Sequence, residues 1–481
     1  MTSGWRMALR EFRLPLGAGL TFAVLNAFLV TKEWFFLPLI PFALGVLLLG
    51  VFALDKLLYL ISFLTPVSLI LEDSGLGATL SLPSEALLVL ASGLLLLKIW
   101  LDEPYPLAAL RHPVTVVLLA GLAWAFFTSL TSTMPLVSFK NFAARMWFIL
   151  PCYFLGLMLF RQPAAVHRFV WLHLAGLMAV ILYTTYRHFL WNFEKDPAHW
   201  VMTPFYNDHT AYGMILAFFL PFAIHFALNY PMGLFFRICA VGFMGILWVA
   251  FRLSNSRAAW LSLAVAGVFW IWIRFKVRWY VVTVFAVLLA VLMWSLRVEI
   301  QQKLARTKEQ SSEQLDEQIR SITNITTDPS NLERFNRWKS ALRMAEDKPW
   351  LGFGPGTYQF QYAPYQSFLD LTIISTNAGN QGTAHSEYLL ALSEQGWPGL
   401  CLWLASVCLI FITANYAYNK LAEPYQKNLL LSLLLGLITY WTHAFLNNFL
   451  DTDKAAVPYF ATVAAIVSAD LFWKKRHPLP S

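Results

Sequence analysis

Apolar residues fall in long blocks along this chain, separated by short polar intervals, and block length decides what they form. A helix needs about 20 mainly apolar residues to cross a bilayer, with a range of about 17–25. Blocks near 15–31, 34–54, 57–72, 84–101, 114–132, 142–160, 167–189, 211–229, 233–253, 257–275 and 279–296 meet or approach that length. The block at 57–72 is short enough to be re-entrant or fused with its neighbour. A polar stretch from Arg297 to about Ala384 follows, then three more blocks near 398–419, 428–448 and 456–473. The pattern predicts an all-α polytopic membrane protein of about 12–14 transmembrane helices. One large, mainly helical loop lies between the eleventh and twelfth predicted spans. The divisions are N-terminal membrane helices over 1–296, a loop with the candidate chemistry over 297–397, and C-terminal membrane helices over 398–481.

Composition strengthens this reading. Of 481 residues, 58% are hydrophobic and 13% charged, where soluble chains carry about 25% charge. The 20 Trp, 18 Tyr and 39 Phe suit interfacial aromatic belts. A soluble enzyme, a disordered scaffold and a secreted disulfide module are excluded. Cys152, Cys239, Cys401 and Cys408 all sit inside apolar runs, with neither a disulfide framework nor metal-site spacing. Arg6, Arg10 and Arg13 precede the run Leu14–Val30 as in a signal peptide, but no small-residue cleavage site follows, so a retained first helix is expected.

The net charge of +8 would suggest a polyanion partner, yet the placement of the cations accounts for it. With the N-terminus in the cytoplasm, seventeen Lys and Arg residues fall inside. Eight face outward, namely Lys32, Lys140, Arg145, Arg187, Lys195, Arg252, Arg257 and Lys454. By the positive-inside rule both termini are cytoplasmic and the long loop is external. Nucleic acid is not an expected partner, since the basic excess faces anionic lipid. The outward cations need explaining. Arg145, Arg252 and Arg257 lie at span ends, where a charge is costly and marks a candidate functional site.

Within the loop, residues 297–320 are polar and free of Pro and Gly, which predicts an exposed helix. Ser330-Asn-Leu-Glu333 reads as a capping box opening a second helix. Phe335, Trp338 and Leu342 give that helix one apolar face, with Arg334 and Arg337 away from its centre. Pro349 stops it. The run Gly352-Phe-Gly354-Pro-Gly356 follows no strand and contains Pro, so a structural turn is favoured over a phosphate cradle. Tyr358, Tyr362 and Tyr365 suit sugar stacking or the membrane interface equally.

His385, entering the next span, is the side chain best suited to take a proton at neutral pH. Arginines on the same side match phosphate oxygens bidentately. Histidine and arginines together fit a diphosphate and a hydroxyl nucleophile. A second external cluster, Asn207-Asp208-His209, reads first as a helix N-cap. No metal-ligand spacing accompanies it, and Ser386 lacks a nucleophile elbow. No metal and no cofactor is expected.

The segment Arg334-Phe-Asn-Arg-Trp338…Trp350-Leu-Gly352-Phe-Gly354-Pro-Gly356, with His385-Ser-Glu-Tyr-Leu389…Glu394-Gln-Gly396, resembles the signature of the O-antigen ligase superfamily. That superfamily also holds O-antigen polymerases and bacterial protein O-oligosaccharyltransferases. Ser256-Arg257-Ala-Ala-Trp260 and Asn207-Asp208-His209-Thr-Ala211 resemble its upstream motifs, although Ser386 stands where Asn is frequent and His209 where a second Asn is usual. The resemblance covers about residues 200–400.

The resemblance implies a donor glycan on undecaprenyl diphosphate at the periplasmic face of the inner membrane. It implies His385 as general base on an acceptor hydroxyl and Arg257 on the diphosphate. Arg334 is a weaker diphosphate or glycan candidate. Arg145 and Arg252, from cost and side, and Asn207 and Asp208, from the upstream motif, complete the candidate substrate-binding set. Direct displacement would invert the anomeric carbon without a metal. The partners implied are the lipid-linked glycan, membrane lipids and a hydroxyl acceptor. Lipid A–core ranks first as acceptor, ahead of another lipid-linked repeat and a protein hydroxyl. A transporter would show two similar halves and midplane charges, which this chain does not.

Overall fold

In the computed structural model the described residues are 39–71, 80–101, 105–229, 233–276, 329–368 and 382–473, with 17, 19–29, 31, 32, 371 and 375. The expected span at 279–296 and the expected helix at 297–320 lie outside them. The chain divides into two compact units, residues 1–57 and 58–481. The first holds α1 (Gly19–Leu29), α2 (Leu39–Phe52) and the opening of α3 (Leu54–Val67).

In the second unit the short block at 57–72 resolves into the rest of α3 and a strand. Strand β1 (Leu69–Leu71) pairs antiparallel with β2 (Leu80–Leu82). Helices α4 (Ser84–Trp100), α5 (Leu107–Leu110), α6 (Pro113–Leu130) and α7 (Pro135–Ile149) follow. A π-helical turn over Leu150–Leu155 joins α7 to α8 (Gly156–Leu159). Pro151 lies in that turn, and its missing N–H cannot continue the α-helical ladder. Then come α9 (Pro163–Leu190), α10 (His209–Asn229), α11 (Leu234–Leu253) and α12 (Arg257–Arg274).

Beyond the undescribed stretch lie α13 (Pro329–Asp347), α14 (Tyr358–Gln361), α15 (Glu387–Lys420), α16 (Pro424–His443) and α17 (Asp453–Phe472). Among the described residues, 7 helices are long and apolar enough to cross a membrane, so the chain is an all-α polytopic membrane protein. In α10 and α17, 83% of the apolar window is buried inside the protein, which makes them the centre of the bundle. Outer helices instead show large apolar side chains such as Leu96, Trp248, Val249 and Ile271 on the surface. Such a surface is stable facing lipid rather than water.

Two expectations for the loop change. Helix α13 begins at Pro329, just ahead of Ser330. Its Phe335 and Leu342 are exposed, while Glu333, Asn336, Arg337 and Ser340 are buried. The polar face turns inward because its groups satisfy one another. Arg337 Nε donates to Glu333 Oε1 at 2.7 Å, and its guanidinium lies 4.3 Å from the centre of the Tyr362 ring. The tyrosines also move. Tyr358 and Tyr362 stack at 5.3 Å in a buried cluster with Phe353 and Met344, so neither offers a platform to sugar or lipid.

The glycine run is the structural turn expected of it. Gly352 has φ +64°, and a Cβ there would stand 2.2 Å from the Glu394 carbonyl carbon. Gly354 N–H donates to Glu394 O at 2.8 Å and Phe353 N–H to Ser393 O at 3.1 Å. Opposite them α15 kinks at Gly396, φ +69°, where a Cβ would meet Trp350 O at 2.3 Å. Turn and kink therefore fit only as glycines.

Candidate active site

His385 sits between the loop and α15 with φ +49°, a left-handed conformation that non-glycine residues adopt only when held. Two contacts hold it. Its N–H donates to Thr383 Oγ1 at 3.3 Å, and its carbonyl accepts the indole N–H of Trp338 at 3.3 Å. Ser386 is not a nucleophile but the N-cap of α15, accepting from Leu389 N–H at 3.4 Å.

His385 lines a cavity of about 340 Å³. Tyr206, Asn207 and Asp208 border it from just before α10, Ser81 and Glu85 from β2 and α4, Asn447, Asn448, Phe449, Asp451 and Thr452 from the connection between α16 and α17, and Lys454 from the start of α17. Burial, with the nearby cations Arg334 and then Arg337, pulls the His385 pKa down from 6.5 to about 4, opposed by Asp208 and Glu333. The side chain is therefore neutral at pH 7, the form that accepts a proton.

The expected site residues divide into groups. Arg334 is within electrostatic reach of His385. Arg257 opens α12 and is within reach of His209, as is Arg334. Asp208 Oδ1 accepts from Thr210 N–H at 2.7 Å, Thr210 Oγ1 at 2.6 Å and Ala211 N–H at 2.8 Å. It is the N-cap expected of it, and it faces the cavity beside the exposed Asn207. Arg252 lies in the last turn of α11 and is not among the residues that line the cavity. Arg145 lines a second, largely apolar cavity of about 120 Å³ between α6, α7, α15 and α17. Asp451 borders both cavities.

Two outward cations have structural partners instead. Arg187 donates to Thr203 O at 2.6 Å and lies 5.5 Å from the Trp200 ring centre. Lys454 Nζ donates to the carbonyls of Thr65 and of Ser68, at 2.5 and 2.7 Å. It satisfies groups left open by the C-terminus of α3.

The apolar blocks predict a connection between α16 and α17 but place its start too late. The apolar block suggested a helix to 448, but α16 ends at His443. Glu387 explains the early stop. Its N–H donates to Ala444 O at 2.9 Å, and its Oε1 accepts from Phe449 N–H and Leu450 N–H, both at 2.9 Å. The backbone is thereby held in a non-helical loop that faces His385. Among the described residues no group of three or more His, Cys, Asp or Glu is placed to hold a metal ion.

The helical membrane bundle thus holds a neutral histidine within electrostatic reach of Arg334 and Arg337. Residues 242–404 match the family model described as O-antigen ligase. No curated protein matches the chain. The match includes Arg252, Arg257, Arg334 and His385 but neither Arg145 nor the 444–452 connection.

Proposed function

We propose that this protein is an inverting glycan transferase that moves a glycan from undecaprenyl diphosphate to an acceptor hydroxyl at the periplasmic face, with lipid A–core the first-ranked acceptor. The observation that carries this reading is His385, neutral and lining an open cavity within electrostatic reach of Arg334, inside the family-matched segment. The acceptor oxygen forms the new bond to the anomeric carbon as the bond from that carbon to the diphosphate oxygen breaks. His385 takes the hydroxyl proton. The electron pair leaves with the diphosphate, whose growing charge Arg257 and Arg334 stabilise. No external energy source is needed, because the lipid diphosphate is already activated.

The arginines then have a second effect. In the free enzyme they help to keep His385 weakly basic. A bound diphosphate offsets their charge and raises the histidine pKa toward the working pH, so the base strengthens when the donor arrives. Arg145, at the edge of an apolar cavity, supports a further contact to the anionic donor.

The test is a host lacking this gene, complemented with wild type or His385→Ala, with surface glycolipid and lipid-linked glycan compared on gels. Glycan accumulating on its lipid carrier while lipid A–core stays bare marks a ligase. Single repeats on lipid A–core without a ladder mark a polymerase. An unchanged pattern with the gene deleted overturns both and sends the search to protein acceptors.

A further inference from the structure

The connection between α16 and α17 lies outside the family-matched segment, yet it supplies much of one wall of the His385 cavity. Its exposed chemistry is specific. Asn448 Oδ1 is buried and has no hydrogen-bond partner. Asp451 and Phe449 border the cavity. An amide offers both donors and acceptors, a carboxylate accepts, and an aromatic face covers apolar C–H groups. That combination suits the alternating hydroxyls and C–H faces of a pyranose. Asn447, by contrast, is engaged, with Nδ2 at 3.3 Å from His443 Nδ1, and contributes to the wall rather than to recognition.

The wall is also fixed to the base. Glu387, two residues after His385, accepts from the N–H groups of Phe449 and Leu450 and from the Tyr440 hydroxyl at 2.7 Å. One carboxylate oxygen thus joins the chain leaving His385 to the loop opposite it.

We infer that this loop is a saccharide-recognition wall in which Asn448 and Asp451 bind sugar hydroxyls, and that Glu387 is a positioning residue that sets its distance from His385. The inference deepens the transferase reading and rests on it for the presence of a sugar. The sugar belongs either to the donor or to the acceptor, two sources with the same chemistry.

Binding is measured apart from turnover, by thermal stabilisation of purified full-length protein in detergent. Two probes are used separately, lipid-linked glycan and lipid A–core, each extracted from the deletion host. Wild type should be stabilised by at least one of them, and that one identifies the source. Asn448→Ala and Asp451→Asn should each need about tenfold more of that probe for half-saturation, with unchanged melting when no probe is present. Glu387→Ala should weaken both binding and turnover, and Glu387→Gln, whose amide oxygen accepts from the same three donors, should restore them. Wild-type half-saturation in the Asn448 and Asp451 variants, or no stabilisation of wild type by either probe, would overturn the inference. Transfer at the wild-type rate by His385→Ala would instead remove the transferase mechanism, leaving the wall to be judged on binding alone.

Discussion

Trp338 donates its indole N–H to the main-chain carbonyl of His385 at 3.3 Å, so a helix of the loop controls the backbone of the proposed base. The contact matters because His385 is held at φ +49°, and a relaxed backbone would re-aim the ring. Trp338→Phe keeps an aromatic ring, smaller than the indole, and loses the donor. Transfer should fall about tenfold or more, since small misplacements of a catalytic group are expensive. Protein yield and melting should change little. Wild-type turnover would show that the carbonyl contact does not aim the imidazole.

The environment of His385 predicts an unusual pH profile. Its pKa is about 4 in the free protein against an ordinary 6.5. Because the folded state disfavours the charged ring, the unfolded chain binds the extra proton first. Stability from this residue is full above about 6.5 and declines as pH falls toward 4. The acid limb of kcat/KM, which reports the free enzyme, should lie near 4, and that of kcat should lie higher because the donor adds negative charge. Arg334→Gln removes a cation and should move the kcat/KM limb upward, though only in part, because burial is the larger cause. A limb that stays in place in that variant would mean that Arg334 does not act on the base.

Arg257 and Arg145 make different predictions. Arg257→Lys keeps the charge and loses the planar fork, so transfer should drop about 100-fold if both phosphate oxygens of one group are held together. Near-normal turnover would rule out bidentate binding. Arg145→Lys, at the edge of the apolar cavity, should raise the donor KM more than it lowers kcat. An unchanged KM would place the diphosphate elsewhere.

Lys454→Met retains length and removes the ammonium. The carbonyls of Thr65 and Ser68 lose their donor, and buried Asp453, 3.8 Å away, loses its countercharge. Breaking such a buried arrangement costs on the order of 3–5 kcal/mol. The melting temperature in detergent should fall by several degrees, whereas Lys454→Arg should recover part of the loss. An unaltered melting curve would show that α3 is capped by other means.

The legible parts of this protein are those set by period and by glycine. Span-length apolar blocks located α6, α9, α10, α11 and α12 because lipid imposes length. The Gly352–Gly356 turn was readable because its three glycines lack Cβ, and the Asp208 cap because its side chain bonds its own neighbours. What stayed hidden depends on partners distant in sequence. Glu333 reads as a capping residue until Arg337 and Tyr362 draw it inward. Residues 444–448 read as helix until Glu387, far upstream, captures the backbone beyond them. Lys454 reads as a stray outward charge until the end of α3 is placed against it. Arg257 and Arg145 share one expected side of the membrane, but only packing assigns Arg145 to a separate cavity.

The Lys454 cap also carries a consequence for biogenesis. It joins the final helix to residues 389 and 386 positions earlier in the chain, and Ser84 makes a similar tie to Asp453 over 369 positions. The His385 cavity lacks Lys454 from its lining until α17 is in place. A nascent chain already displaying His385 and Arg334 would still have an incomplete cavity. On the proposed mechanism, transfer therefore follows the insertion of α17.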